Sequence, residues 1–195
     1  MSTQSKPVSR LKLHTINVTP SGREMIGHIE SGKSVWQFNF LPTLAKVVDW
    51  RIVLTGRVTI TPPVGRPKTI DDVTARLLAT QGSTTLAPEP PAGIDRALVA
   101  PPEVSLSGLP LTEYSGNDGS IAVMFLKLSP LNSSLAGIPY DMGSVQLNAR
   151  LWANSTLERD LLWLYSALLM ATQGPQADGK WADGLLAEIN KRLTK

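Results

Sequence analysis

The strongest constraint on the fold is a regular alternation of apolar and polar side chains over residues 51–60. Because successive side chains of a strand point to opposite faces, this alternation predicts a β-strand with one buried face. Gly56 lies on that face, and a glycine inside a strand marks a bend or a bulge. The other core-facing residues predicted for this strand are Ile52, Leu54, Val58 and Ile60.

Similar patterns predict further strands. Residues 11–18 alternate in the same way, and the β-forming residues of 25–40 indicate a hairpin that turns at Ser31-Gly32-Lys33. Residues 120–128 predict a buried strand, and residues 143–152 predict an alternating one. The core-facing residues predicted for the last strand are Val145, Leu147, Ala149 and Leu151.

Three segments carry helix signals. Thr69 followed by Asp72 fits a capping box, and the apolar residues after it predict a short helix over 69–81. A second capping box precedes residues 157–172, which are apolar nearly all round and predict a buried helix. Residues 181–193 predict an amphipathic helix.

The length and composition suit one domain. A chain of 195 residues with 42% hydrophobic residues can form one well-packed core. We predict a single α+β domain over residues 24–195, with an antiparallel β-sheet packed against helices and further helices at the C-terminus. Residues 1–23 are polar and basic and predict a flexible N-terminal arm. Residues 83–120 are rich in proline and predict a long loop.

The sequence offers little to catalysis. It has no cysteine, which excludes disulfides, thiolate metal sites and a cysteine nucleophile. Its two histidines, His14 and His28, are not close to an acidic pair, and neither a Gly-x-Ser-x-Gly elbow nor a P-loop occurs. Capping of the predicted helix accounts for the adjacent Asp71 and Asp72. We therefore expect a protein that is not an enzyme and needs no cofactor or metal.

Membrane contact, where it occurs, is expected to be peripheral. The N-terminal residues lack the apolar stretch of a signal peptide, and no apolar run is long enough to span a bilayer. The net charge of +3 favours acidic partners such as phospholipid headgroups or RNA. Basic residues in the arm and around the strand at 51–60 either form a contact for such partners or belong to a solvated strand face. The candidate contact residues are Lys6, Arg10, Lys12, Arg51, Arg57, Arg66 and Lys68.

The order of these elements resembles the globular domain of rhabdovirus matrix proteins, particularly those of the vesiculovirus type. The resemblance covers residues 50–195: a strand, the proline-rich turn at 62–67, a capped helix, a long loop, the strand at 143–152, an apolar helix and the late Trp181. Many members from animal viruses also carry a Pro-Pro-x-Tyr or Pro-Thr/Ser-Ala-Pro budding motif. This chain lacks both, so the resemblance leaves its budding partner open.

The resemblance implies a structural protein beneath the viral envelope, present also in the host cytoplasm and at the inner face of host membranes. Such a protein binds to itself, to the nucleoprotein–RNA nucleocapsid, to anionic membrane lipids and, as a further candidate, to the viral glycoprotein. It bridges the nucleocapsid to the membrane during assembly and budding. The basic arm would contact membrane or nucleocapsid, and the apolar tip of the long loop would mediate self-association. That tip comprises Leu106, Leu109, Pro110 and Leu111.

Two other interpretations of the sequence remain open. Many strands, abundant turns and a basic N-terminus are also compatible with a jelly-roll capsid protein of a small RNA virus. The helices predicted over 157–193 argue against it, because a jelly roll usually ends in a strand. An unrelated binding module is the other alternative.

Overall fold

The computed structural model describes residues 10–81, 122–151, 156–173 and 177–195. Nine strands and two α-helices account for most of them, and a short 3-10 helix spans Ser133–Ala136. The strands are β1 (Leu11–Lys12), β2 (Thr15–Ser21), β3 (Glu24–Ser31), β4 (Ser34–Val48), β5 (Arg51–Thr61), β6 (Lys68–Gln81), β7 (Ala122–Leu128), β8 (Tyr140–Asp141) and β9 (Gln146–Leu151). The helices are α1 (Thr156–Gln173) and α2 (Gly179–Leu193).

Seven of the strands close into a barrel in the order β2-β3-β4-β5-β6-β7-β9. Neighbouring strands are antiparallel except at the closure, where β2 and β9 pair in parallel with Thr15 opposite Gln146 and Val18 opposite Ala149. The remaining strands, β1 and β8, form a separate two-stranded parallel sheet. The prediction of an α+β domain is confirmed, but its open antiparallel sheet is replaced by a closed barrel.

The antiparallel order gives the barrel two distinct ends. At the helix end lie the β4–β5 turn, the β2–β3 turn and the ends of β6 and β9 that lead away from the barrel. Contacts with the helices occur here: the Gly22 amide donates to Glu158 Oε1 over 2.6 Å, and Asn190 bonds to the backbone of Ala45. At the turn end lie the β3–β4 turn, the β5–β6 turn and the β1–β8 sheet.

The larger of two apolar clusters among the described residues joins the barrel interior to the helices. The smaller cluster comprises Leu78, Ala79, Val123 and Phe125. The face of β5 predicted to be buried is buried at every position from Ile52 to Ile60, which confirms the alternation. Helix α1 is buried at each residue from Leu161 to Leu169, as its all-round apolar sequence predicts. Helix α2 contributes a single face, which comprises Ala182, Leu185, Ile189 and Leu193.

Several local predictions are confirmed. The β3–β4 hairpin turns at Gly32 and Lys33, and Val145, Leu147, Ala149 and Leu151 are buried. Gly56 lies at a bulge, since the β5–β6 register shifts between Gly56 and Val58. A Cβ at Gly56 would lie 2.2 Å from the carbonyl oxygen of Leu41, so only glycine allows the two backbones to approach this closely.

The predicted helix over 69–81 is wrong. These residues form β6, which pairs with β5 on one side and with β7 on the other. After the β5–β6 bulge, Val73, Ala75 and Leu77 alternate into the core. The same residues fit a helical stripe, but pairing with two neighbouring strands decides their conformation. The presumed capping residue Asp72 is a bulge residue with a positive φ of 56°.

The predicted N-terminal arm is also too long. Residues 15–21 form a barrel strand, and Ile16 and Val18 are buried in the core. Arg23 donates a hydrogen bond to the carbonyl oxygen of Leu193, so it is held against α2. Residues 1–9 and the predicted loop at 83–120 lie outside the described residues.

Candidate anion-binding surfaces

The structure does not gather the predicted contact residues into one patch. Arg51 starts β5 at the helix end, whereas Arg66 and Lys68 lie at the other end of that strand. Arg10 and Lys12 also lie at the turn end, but beside β8 and far around the barrel from the β5–β6 turn. Lys6 and the four loop residues at 106 and 109–111 are outside the described residues.

Arg57 has a local counter-ion. It lies opposite the β5–β6 bulge, and its Nε donates to Asp71 Oδ1 over 3.0 Å. Both side chains are largely exposed, so the pair contributes little to stability. It nevertheless neutralises the charge of Arg57, and this residue is therefore a weak candidate for contact with an anionic surface.

A row of cations that local sequence patterns do not reveal crosses the outer wall of the barrel. The strand register places Lys46 beside Val53, Val53 beside Arg76, and Arg76 beside Lys127. Directly paired residues share a face of the sheet, and the adjacent row of Ala45, Leu54, Ala75 and Leu128 is buried in the core. With a spacing of about 4.8 Å between strands, the row spans about 14 Å. We call Lys46, Arg76 and Lys127 the basic row.

The basic row has no counter-ion among the described residues: none of its three side chains makes an ion pair or a hydrogen bond there. Arg76 and Lys127 lie directly opposite each other, and like charges in that position are destabilising. A negatively charged partner would remove this repulsion. Arg51, paired with Val48 near one end of the row, adds a fourth cation to the same face.

The row could not be recognised from the sequence because its members belong to three strands, and only their register brings them together. Each member does occupy an outward position of its strand. Alternation within each strand can predict that outward position. The row itself can be recognised only when the neighbouring strands are known.

The other candidate site is a cleft at the turn end, which is lined by polar and titratable side chains. It has a volume of about 390 Å³ and is lined by Lys12, Leu13, His14, Asp141, Gly143 and Ser144. Asp141 Oδ1 accepts a hydrogen bond from the Gly143 amide over 2.9 Å, which is a local turn contact. Among the described residues no hydrogen bond joins His14 to Asp141 or Ser144. The described residues of the cleft thus show no hydrogen-bonded base and nucleophile of the kind used in acyl transfer.

Nothing among the described side chains forms a group of three or more histidine and carboxylate residues suited to a metal ion. In the same part of the chain, no helix has the length and hydropathy needed to cross a membrane. No protein-family model, curated protein or solved structure matches this chain.

Proposed function

We propose that this protein is a viral matrix protein without catalytic activity, which links the nucleocapsid to the inner face of the envelope. The observation that carries the proposal is the basic row, a set of neighbouring cations without counter-ions among the described residues on one wall of the barrel. An anionic membrane surface offers the dispersed negative charge that such a row lacks. Each basic residue near that surface contributes about 1 kcal/mol to binding.

A bridging protein needs a second contact surface, and the barrel provides a place for one. Arg66, in the β5–β6 turn, and Lys68, at the start of β6, lie at the turn end, while Arg51 starts β5 at the helix end. At about 3.3 Å per residue, the 11 residues of β5 extend over about 33 Å. In the proposal the turn-end cations, with Arg10 and Lys12, face the nucleocapsid while the basic row faces the lipid.

The capsid alternative has less support. A jelly roll has eight strands in two facing sheets, whereas seven of the described strands form one closed barrel followed by two helices. The proposed self-association through Leu106, Leu109, Pro110 and Leu111 depends on residues outside the described ones and needs a test of its own.

Flotation of the purified protein with phosphatidylcholine vesicles, with and without phosphatidylserine, tests the membrane contact. We expect flotation that requires phosphatidylserine and fades as salt is raised, because exposed charges are screened within about 10 Å at 0.1 M salt. A triple variant, Lys46→Gln with Arg76→Gln and Lys127→Gln, should lose about 3 kcal/mol, or about 100-fold in affinity.

The matched control removes the same number of charges from exposed positions at the turn end: Lys33→Gln with Arg66→Gln and Lys68→Gln. It should bind vesicles nearly as well as the unaltered protein. Equal losses in the two triple variants would show that net charge alone drives binding. Flotation that does not depend on phosphatidylserine would contradict the proposal.

A further inference from the structure

The β4–β5 hairpin ends in a two-residue turn formed by Asp49 and Trp50. Both residues have positive φ, 49° and 60°, as the tight turns of twisted hairpins require. Asparagine, aspartate and glycine are the usual residues at such positions, and a bulky aromatic residue there is an outlier. Trp50 therefore occupies the position of this hairpin where a large side chain is least favourable.

Packing explains only part of the tryptophan. Trp50 is 56% exposed, and the neighbouring Val48 is 49% exposed. The tip is held through its backbone, since Gln173 Nε2 donates to the carbonyl oxygen of Trp50 over 3.1 Å. Glycine at position 50 would preserve this hydrogen bond and remove the strain. Residues in unfavourable backbone conformations cluster at functional sites, where the strain serves the function.

The surroundings of the tip are cationic. Val48 and Arg51 are direct partners on the outer face, and Lys46 lies two residues further along the same face. Asp49 supplies one negative charge, which the two neighbouring cations outnumber. The tip thus combines an exposed tryptophan and valine with basic side chains just behind them.

From this juxtaposition we infer that the β4–β5 tip enters the headgroup layer of an anionic bilayer, with Trp50 and Val48 inserted. Tryptophan prefers the boundary between headgroups and acyl chains, where its ring is buried and its N–H remains solvated. Lys46 and Arg51 would lie at the level of the lipid phosphates. The inference rests on the proposed membrane contact and adds which part of the barrel penetrates.

The absence of cysteine from the sequence allows a site-specific test. Val48→Cys and Val64→Cys each introduce a single thiol for an environment-sensitive NBD label. Val64 is the matched control, because it is 90% exposed and lies in the turn between β5 and β6, at the other end of the barrel. Each labelled protein is mixed with phosphatidylcholine/phosphatidylserine vesicles, with and without spin-labelled lipid as a quencher.

We expect NBD at position 48 to shift to the blue and to be quenched by the spin-labelled lipid, while NBD at position 64 changes little. Trp50→Gly should weaken vesicle binding about 10-fold or more, since it removes a large apolar surface from the interface. Its circular dichroism and melting curve verify that the barrel is folded.

The remaining outcomes separate this inference from the proposed function. Flotation without a response at position 48, or with a response at position 64 instead, overturns the insertion and leaves membrane contact standing. Absence of flotation overturns both. A response at position 48 to a single-stranded RNA oligonucleotide, but not to vesicles, overturns the insertion and assigns the tip to nucleic acid.

Discussion

Asn190 of α2 makes two hydrogen bonds with the backbone of Ala45 on β4. Its Oδ1 accepts from the Ala45 amide over 2.7 Å, and its Nδ2 donates to the Ala45 carbonyl oxygen over 3.0 Å. The pairing of β3 with β4 ends at Phe40, so β3 has no residue opposite Ala45. The Asn190 side chain thus makes the hydrogen bonds with Ala45 that a neighbouring strand would otherwise provide.

Replacing Asn190 by alanine should lower the free energy of unfolding by about 2 kcal/mol, because two polar groups of buried Ala45 lose their partners. Chemical denaturation measures the change. Asp183→Ala on the same helix is the control, since Asp183 is exposed. Equal stabilities of the two variants would show that water replaces the amide at no cost.

Gly56→Ala should destabilise the barrel by about 3 kcal/mol, at the upper end of the usual cost of overpacking. The added Cβ would lie 2.2 Å from the Leu41 carbonyl oxygen and 2.7 Å from Pro42 Cα, and backbone atoms cannot move aside easily. Gly179→Ala is the matched control, because a Cβ added there would meet no atom within 4 Å. Thermal unfolding of both variants distinguishes a steric cost from a general effect of replacing glycine.

Trp50→Gly should raise the stability of the isolated protein by about 1 kcal/mol, since a side chain in the left-handed region costs about 1–2 kcal/mol. Val48→Gly provides the contrast: this residue is extended in β4, so glycine there should destabilise the fold. Denaturant titrations without lipid give both values. A loss of stability in Trp50→Gly would mean that the indole supports the hairpin.

Asp160 should make stability depend on pH. Burial raises the pKa of this carboxyl group, while Arg192 and Arg159 act in the opposite direction. A raised pKa in the folded state means that ionisation opposes folding. The penalty is present above the folded-state pKa and disappears as the pH falls below the unfolded value of 3.8.

Asp160→Asn should therefore be more stable than the unaltered protein at pH 7 and equal to it near pH 3. Melting temperatures across this range test the sign. Lower stability of the variant at pH 7 would show that the contact of Arg192 with Asp160, at 3.8 Å, outweighs the effect of burial.

Leu109→Asp should leave a folded monomer that no longer assembles, if the loop tip mediates self-association. Light scattering of the purified protein over a concentration series measures assembly, and circular dichroism verifies folding. Val64→Asp is a control at a highly exposed apolar residue outside the loop. Normal assembly of Leu109→Asp would contradict the proposed role.

Local sequence patterns predict much of the fold. The buried face of β5, the β3–β4 hairpin and both C-terminal helices follow from spacing alone. Strand β6 escapes this prediction because Ile70, Val73 and Leu77 also fit a helical repeat, and Asp72 stands where a capping residue would. Only the neighbouring strands show which conformation applies, and they lie elsewhere in the chain.

The candidate site is harder to predict for a related reason. Arg51 is recognisable because it belongs to a clear strand, but Lys46, Arg76 and Lys127 are neighbours only across strand pairs. The sequence also predicts Arg57 as a contact residue. In the structure Asp71 neutralises it, and the sequence does not reveal this pair because the bulge brings the two residues together. A surface formed by strand register becomes recognisable only once the pairing is known.

The parallel pairing of Thr15 with Gln146 also determines when the barrel can close during synthesis. During synthesis β2 leaves the ribosome well before its closing partner β9, because the other five barrel strands lie between them in the chain. Contacts between such distant segments slow folding, and an unpaired strand edge invites aggregation. The barrel therefore closes only after β9 has been synthesised, and until then the edge of β2 that pairs with β9 lacks its native partner.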